Sequence, residues 1–235
     1  MSNYRDRMGP RDQDLRRIVA GTFAAAGTVA LMVALAMVAL AIALPAYPSH
    51  AALSPEQPDV TGPASLAGQL LIASPKMGDP FDHAVILMAQ HNRDGALGIV
   101  INHPLATRPI ASLLEALGAD AHGITGSVRI FLGGPVGQTS AFVLHSPDYR
   151  RDDTLDIDGR VALSDAASVL GDISLGKGPA KILVAIGYAG WGPSQLDDEI
   201  AHGAWVSVPE NPKLVFDDDR ANVWTDAMAL YKAAR

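Results

Sequence analysis

From Leu66 onward the chain is a succession of short apolar runs separated by Gly, Pro, Asn and Asp, a pattern that predicts strands with helices set singly among them. Leu66–Ser74, Ala84–Ala89 and Ala96–Asn102 read as strands, and Pro75–Pro80 as a loop. Asn92-Arg93-Asp94-Gly95 joins the second strand to the third as a hairpin, because Gly accepts positive φ. Ile110, Leu113, Leu114 and Leu117 have helical spacing and stop at Gly118. Val128–Leu132 and Ala141–His145 read as strands on either side of a Gly133-Gly134-Pro135 turn. Asp152–Leu163 reads as an exposed acidic hairpin, and Ser164–Leu170 as a short helix with Ser164 as its N-cap. Lys181–Ile186 predicts a buried strand, followed by a glycine turn and a helix that Ser194 can cap, with Asp197, Asp198 and Glu199 in its first turn. Gly203 ends that helix, Ala204–Val208 is a strand, and Asp217–Asp219 open a last helix through Trp224, Met228 and Tyr231. The order predicts an α+β fold (mixed β-sheets with singly inserted helices) in one globular domain, with mixed α/β as the alternative.

The N-terminal quarter is different. Residues 18–44 carry no charge and are long enough to cross a bilayer as a helix. Their length exceeds the 7–15 or so apolar residues of a cleavable signal, which favours an uncleaved anchor, although Ser49-His50-Ala51 leaves cleavage open. Five arginines precede the span and no Lys or Arg follows before Lys76, which places the N-terminus in the cytoplasm and the rest outside. The chain therefore divides into a basic cytoplasmic segment 1–17, a transmembrane helix 18–44, a Pro-rich linker 45–65 and a domain 66–235. A start of translation near Val60 is the competing reading, and it would give a cytoplasmic protein.

Charge narrows the function classes. Residues 60–235 hold 13 Lys and Arg against 20 Asp and Glu, a balance of −7, with no basic cluster denser than Arg150-Arg151. Such a surface offers little long-range attraction to nucleic acid. The absence of cysteine excludes disulfides, thiol catalysis and Cys-bound zinc.

Several short segments, in a fixed order, carry a likeness to one bacterial family. They include Leu71-Ile72-Ala73-x-Pro75, Asp79-Pro80-Phe81, His91-Asn92 with Gly95-Ala96-x-Gly98, and Asn102-x-Pro104. Phe131-Leu132-Gly133-Gly134-Pro135-Val136, Leu144-His145, Gly187-Tyr188-x-Gly190-Trp191, Gln195-Leu196, Glu199-Ile200, Ala204-Trp205, Phe216-Asp217 and Trp224 complete the set. Over residues 66–230 the chain resembles the YqgE/AlgH family. The resemblance implies a single α+β domain from a family described as transcriptional regulators or left uncharacterised, without agreed catalytic residues. Two departures stand out: Asp79-Pro80-Phe81-Asp82-His83-Ala84-Val85 is one residue short of the family pattern, with His83 near a usual Arg, and the family resembles cytosolic proteins that start just before the first strand.

The candidate site is the family cluster His91, Asn92, Gly95, Gly98, Asn102, Pro104, Gly133, Gly134, Pro135, His145, Gly187, Tyr188, Gly190, Trp191, Gln195 and Glu199, without an assigned role. His91, His103, His122 and His145 lack the short regular spacing of a zinc site, and turn or cap roles suit them better. Gly187-x-x-Gly190-x-Gly192 could cradle a phosphate ahead of a helix, but a tight turn under Trp191 is favoured, since the following acidic turn repels anions. Asp217-Asp218-Asp219 reads as a helix start more readily than a cation site, and no Gly-x-Ser-x-Gly elbow surrounds Ser140, Ser146 or Ser194. No catalytic residue, metal or cofactor is expected. The preferred reading is a non-enzymatic regulatory or partner-binding module, tethered through residues 18–44, with an unidentified protein partner and no direct nucleic-acid binding. The alternative is a small-molecule-binding protein or enzyme whose site unites the Gly187–Gln195 segment and the His91–Asn102 hairpin in one pocket.

Overall fold

Continuous apolar runs become strands buried on both faces. The computed structural model, which describes residues 65–216 and 220–234, contains β1 (Gln69–Ala73), β2 (Val85–Asn92), β3 (Gly95–Val100), β4 (Pro104–Pro109), α1 (Ile110–Ala116), β5 (Ser127–Leu132), β6 (Val136–His145), β7 (Leu155–Asp156) and β8 (Ala162–Asp165). It continues with α2 (Ala166–Ser174), β9 (Ile182–Trp191), α3 (Gln195–Ala201), β10 (Trp205–Pro209), α4 (Pro212–Phe216) and α5 (Val223–Ala233). In β1, Leu70 and Ile72 enter one core while Leu71 and Ala73 enter another on the opposite face. In β2, Val85, Leu87 and Ala89 divide from Ile86 and Met88 in the same way. Side chains alternate across a strand, so a strand packed on both faces must be apolar at every position.

The strands form one curled, mostly antiparallel sheet in the order β10-β1-β2-β3-β9-β6-β8-β7. β9 is its spine. Along one edge its first half runs parallel to β5 (Ile130↔Val184, Leu132↔Ile186) and its second half antiparallel to β3 (Ala96↔Trp191, Gly98↔Ala189). Along the other edge it pairs with β6, from Val136↔Tyr188 to His145↔Ile182. β4 extends β5 as an edge strand. Helices α1 and α2 cover β5, β6 and β9 through Ile110, Leu114, Val169 and Leu170. The Val223–Ala227 face of α5 closes the core that holds Leu70, Leu144 and Leu183.

Several expectations are corrected. The expected fold class placed a transmembrane helix ahead of the domain. Among the described residues no helix is long and apolar enough to cross a membrane. The longest described helix, α5, has 11 residues, which span roughly 16 Å against a hydrocarbon core of roughly 30 Å. The fold is thus a mixed sheet-and-helix domain, and the membrane helix is not carried forward. Segments 1–17 and 18–44, all of linker 45–65 but Ser65, and Asp217–Asp219 lie outside the described residues. Ser164 does not cap a helix: β8 runs through it, and Asp165 caps α2 by accepting from the Ala167 N–H at 2.8 Å. Ser194 has φ +59 and makes no side-chain cap bond. The expected glycine turn after Ile186 is instead the second half of β9. β4 and α4 had no counterpart in the sequence reading.

Candidate functional site

The glycines of the family cluster are placed by backbone crossing. The chain leaves β5 through Gly133 and Gly134 and passes directly over β9 at Gly187 and Tyr188. A Cβ on Gly133 would stand 2.3 Å from the Gly187 carbonyl oxygen, and one on Gly134 2.1 Å from the Tyr188 carbonyl carbon. Gly187, with φ +72, would in turn meet the Gly134 and Val136 oxygens at 2.6 and 2.8 Å. The Gly133 N–H donates to Ile186 O at 2.8 Å, and the Val100 N–H donates to Gly133 O at 2.9 Å. Pro135 leads from this crossing into β6, and Tyr188 packs edge-on against Phe142 with ring centroids 6.1 Å apart. At the far end of β9, a Cβ on Gly95 would stand 2.3 Å from Trp191 O, one on Gly190 would press on the Tyr188 ring, and one on Gly98 on Ile86 and Met88. These glycines admit neighbouring backbone and side chains.

Asn92 and Asn102 shape loops. Asn92 Oδ1 accepts from the Asp94 N–H at 2.9 Å and tightens the β2–β3 hairpin. Asn102 Oδ1 accepts from the Val85 N–H at 2.9 Å, and its amide donates to His83 O at 2.8 Å, which clips the 79–85 loop to the end of β3. Pro104 starts β4 on the exposed edge. Asn102→Ala leaves the N–H of fully buried Val85 without its acceptor. The expected loss is roughly 1–3 kcal/mol by urea unfolding, and a loss within experimental error would show that the clip carries no weight.

The chemistry-bearing side chains form two separate networks. The first surrounds α3. The indole N–H groups of Trp191 and Trp205 both donate to Glu199 Oε2, at 2.9 and 2.7 Å. Gln195 Nε2 donates to Glu199 Oε1 at 2.9 Å, while Gln195 Oε1 accepts from the Gly192 N–H at 3.1 Å. The two indoles meet edge to face at 5.9 Å, and Phe81 packs on Trp205 at 5.4 Å. Beside them His91 is buried, its Nδ1 accepting from the Leu66 N–H at 3.2 Å. Nε2 is then the protonated nitrogen of the neutral ring, and it faces Asp197 Oδ2 at 3.6 Å.

The second network is centred on His145, which is fully buried. Its Nδ1 lies 2.9 Å from Ser146 O, an acceptor only, so Nδ1 carries the proton and Nε2 accepts from Ser164 Oγ at 3.0 Å. Ser164 Oγ in turn accepts from Thr154 Oγ1 at 2.8 Å, and Thr154 accepts from the Arg151 N–H. Tyr149 stacks edge-on to His145 and donates to Asp172 Oδ2 at 2.7 Å; burial, then that carboxylate, raises its pKa above the ordinary phenol value. His145 pairs with Ile182 at the start of β9, whereas Trp191 ends it. The nine intervening steps put roughly 30 Å between the networks.

The structure therefore joins Trp191, Gln195 and Glu199, sets His91 beside them, and leaves His145 apart. Trp205, Asp197, Ser164 and Thr154 belong to these networks and were not singled out as site residues; Ala204-Trp205 among the family segments was the one available signal. His103 is held below the ordinary imidazole range by burial, which Asp82 and Asp79 oppose. Among the described residues no group of three or more possible metal ligands occurs. The Gly187–Gln195 and His91–Asn102 segments adjoin across the β3–β9 pairing. Two concavities stand out elsewhere. One, of about 350 Å³, is lined by Arg151, Asp152, Asp153 and Ser168. The other, of about 440 Å³, is lined by Arg160, Val208, Glu210, Pro212 and Leu230 among others. No residue of the family cluster lines either.

A family model described as AlgH-like matches residues 70–234. A UPF0301 protein of Methylococcus capsulatus is 41% identical over 175 residues, covering 74% of this chain and 94% of the relative. A UPF0301 protein of Rhizorhabdus wittichii is 45% identical over 167 residues, covering 71% and 89% respectively. The solution structure of the AlgH protein from Pseudomonas aeruginosa is similar with a TM-score of 0.62 at 35% identity, covering 74% of this chain and 92% of that one. The match leaves the Methylococcus relative fewer residues than the roughly 20 a membrane helix needs. The expected placement, membrane-anchored with the domain outside, is corrected: no described helix spans a membrane, and this relative has no room for one beyond the matched part.

Proposed function

The chain belongs to the AlgH-like family, whose function is uncharacterised, and from that premise we propose that its domain is a non-enzymatic regulatory module that works by binding a partner protein. One observation carries this reading: the family's polar side chains are directed at one another. Glu199 is occupied by two indoles and an amide, His145 by a serine and a backbone carbonyl, and Asn102 by backbone on both sides. Groups so satisfied hold a shape and are poorly placed to act on a substrate. The balance of −7 over residues 60–235 argues that any influence on transcription runs through the partner rather than through contact with DNA.

The test uses the full-length chain. In a gel shift with duplex DNA at physiological salt, no complex should form tighter than the roughly micromolar limit of non-specific binding. Nucleotides and inorganic phosphate at millimolar concentration should leave the melting temperature unchanged. Cross-linking in cells should give a discrete protein adduct that reforms from the two purified components. Sequence-specific nanomolar DNA binding would sink the indirect reading. A nucleotide-induced rise in melting temperature, lost in Trp191→Ala, would favour a small-molecule site.

A further inference from the structure

The strand path begins at β10 and ends at β7, yet its two ends meet. Asp158, in the turn between β7 and β8, lies against Gly68 at the entrance to β1, where a Cβ would stand 2.8 Å from the Asp158 Cβ. Gly68 O accepts from the Glu210 N–H, just past β10, at 3.2 Å. Arg160, from the same β7–β8 turn, places its guanidinium 3.0 Å from Glu210 Oε2 and donates to Asp158 Oδ2 through Nε and Nη2, at 3.1 and 2.8 Å. Asp158 Oδ1 accepts from the Arg160 and Val161 N–H groups at 3.0 and 3.1 Å. Beneath these contacts Leu155 and Ile157 share a core with Leu70 and Val208. No β-ladder joins β7 to β10, so this end of the curl is closed by side chains.

Glu210 is the exception in the cluster. Its side chain is 0% exposed, and neither carboxyl oxygen has an aligned hydrogen-bond partner, although the guanidinium is close. An ionised carboxylate in that position, beside a second one, is costly. Protonating Glu210 removes that cost and leaves one negative charge, on Asp158, for Arg160. We propose that Glu210 and Asp158 share one proton and form, with Arg160, a pH-sensitive clasp that holds the β7–β8 hairpin against the β1–β10 edge and releases it when the proton leaves.

The electrostatics agree with the geometry. Burial first, then the Asp158 charge, push the Glu210 carboxyl up to about 7, against the pull of Arg160. Asp158 is held below the usual carboxylate range: burial acts to raise it, and the Arg160 and Val161 amides with the Arg160 guanidinium outweigh that. The charged groups acting on Glu210 thus come from the β7–β8 turn, while among the described residues Val208, Pro209, Pro212, Leu230 and Ala234, from β10, α4, α5 and the C-cap of α5, bring no titratable group to the concavity. The sign is fixed by linkage. The native state holds a proton that the unfolded chain releases, so this stabilisation is complete below the ordinary carboxylate pKa of 4.5 and is lost as pH rises through about 7.

Amide hydrogen exchange on the full chain, at about pH 6 and about pH 8 and corrected for the intrinsic rate, tests the clasp. Protection of the Arg160, Val161 and Glu210 amides should fall about tenfold or more at the higher pH, while that of β2 and β9 stays level. Glu210→Gln does not titrate and should show the same protection at both values. Asp158→Asn removes the like charge but leaves the burial of Glu210, and should weaken the response at the Glu210 amide without abolishing it. Unchanged wild-type protection, an equal fall in the variants, or a Glu210 carboxyl carbon titrating near 4.5 would overturn the proposal.

Discussion

Gly134→Ala should cost more than about 4 kcal/mol of folding free energy and leave little native protein at 37 °C. The added methyl would stand 2.1 Å from the Tyr188 carbonyl carbon and 2.4 Å from the Ala189 nitrogen, atoms of the central strand with no rotamer to yield. The residue also has φ +153, which an L side chain rarely adopts. Relief would require separating β9 from the 133–136 segment, and with it the hydrogen bonds from Gly133 N–H to Ile186 O and from Val100 N–H to Gly133 O. Gly171→Ala is the matched control. It lies in α2 with nothing within 4 Å of its would-be Cβ, and should stabilise by about 0.5–1 kcal/mol. Denaturant unfolding of both variants decides the matter. If Gly134→Ala unfolds within about 1 kcal/mol of wild type, the backbone crossing does not constrain this position.

Glu199→Ala should destabilise by roughly 3–5 kcal/mol, since it strips the shared acceptor from two indoles and a partner from Gln195. Trp205 is 1% exposed and Trp191 7%, so neither N–H regains a full water contact without displacement of the ring. Tryptophan emission should shift to the red as water enters. Glu199→Gln should recover more than half of the loss. Its amide oxygen can keep both indole bonds, but its NH2 then faces the Gln195 amide, whose own oxygen is held by the Gly192 N–H. An alanine variant as stable as wild type would mean that Trp191, Gln195 and Glu199 are kept for contact with something outside the domain. α3 would then form part of the partner-binding surface.

These two expectations rest on different kinds of legibility. The strands announced themselves, because burial on two faces demands runs such as Leu70-Leu71-Ile72-Ala73, and the β2–β3 hairpin was readable from Asn92 to Gly95. Gly187–Trp191 was misread as a turn. Glycine density usually marks a change of direction, whereas here it marks a second backbone lying across a strand. Ser164 was misread as a cap because Ser before an apolar run is a local signal, and the neighbour that decided otherwise, His145, lies 19 residues away. The uncharged run at 18–44 carried a topology that the described fold does not repeat.

By itself the sequence determined most of the element order from Leu66 onward, β4 and α4 excepted, the acidity of the domain and, through ordered short segments, the family. All of these follow from local spacing or from residue identity. Only the tertiary structure decided that Trp191 and Trp205 share one carboxylate, that His91 and His145 belong to separate networks, and that Glu210 and Asp158 share Arg160 where the curl closes. Those pairings join residues from different strands and turns. Sheet register and curl bring them together, and no periodicity along the chain records the distance between them.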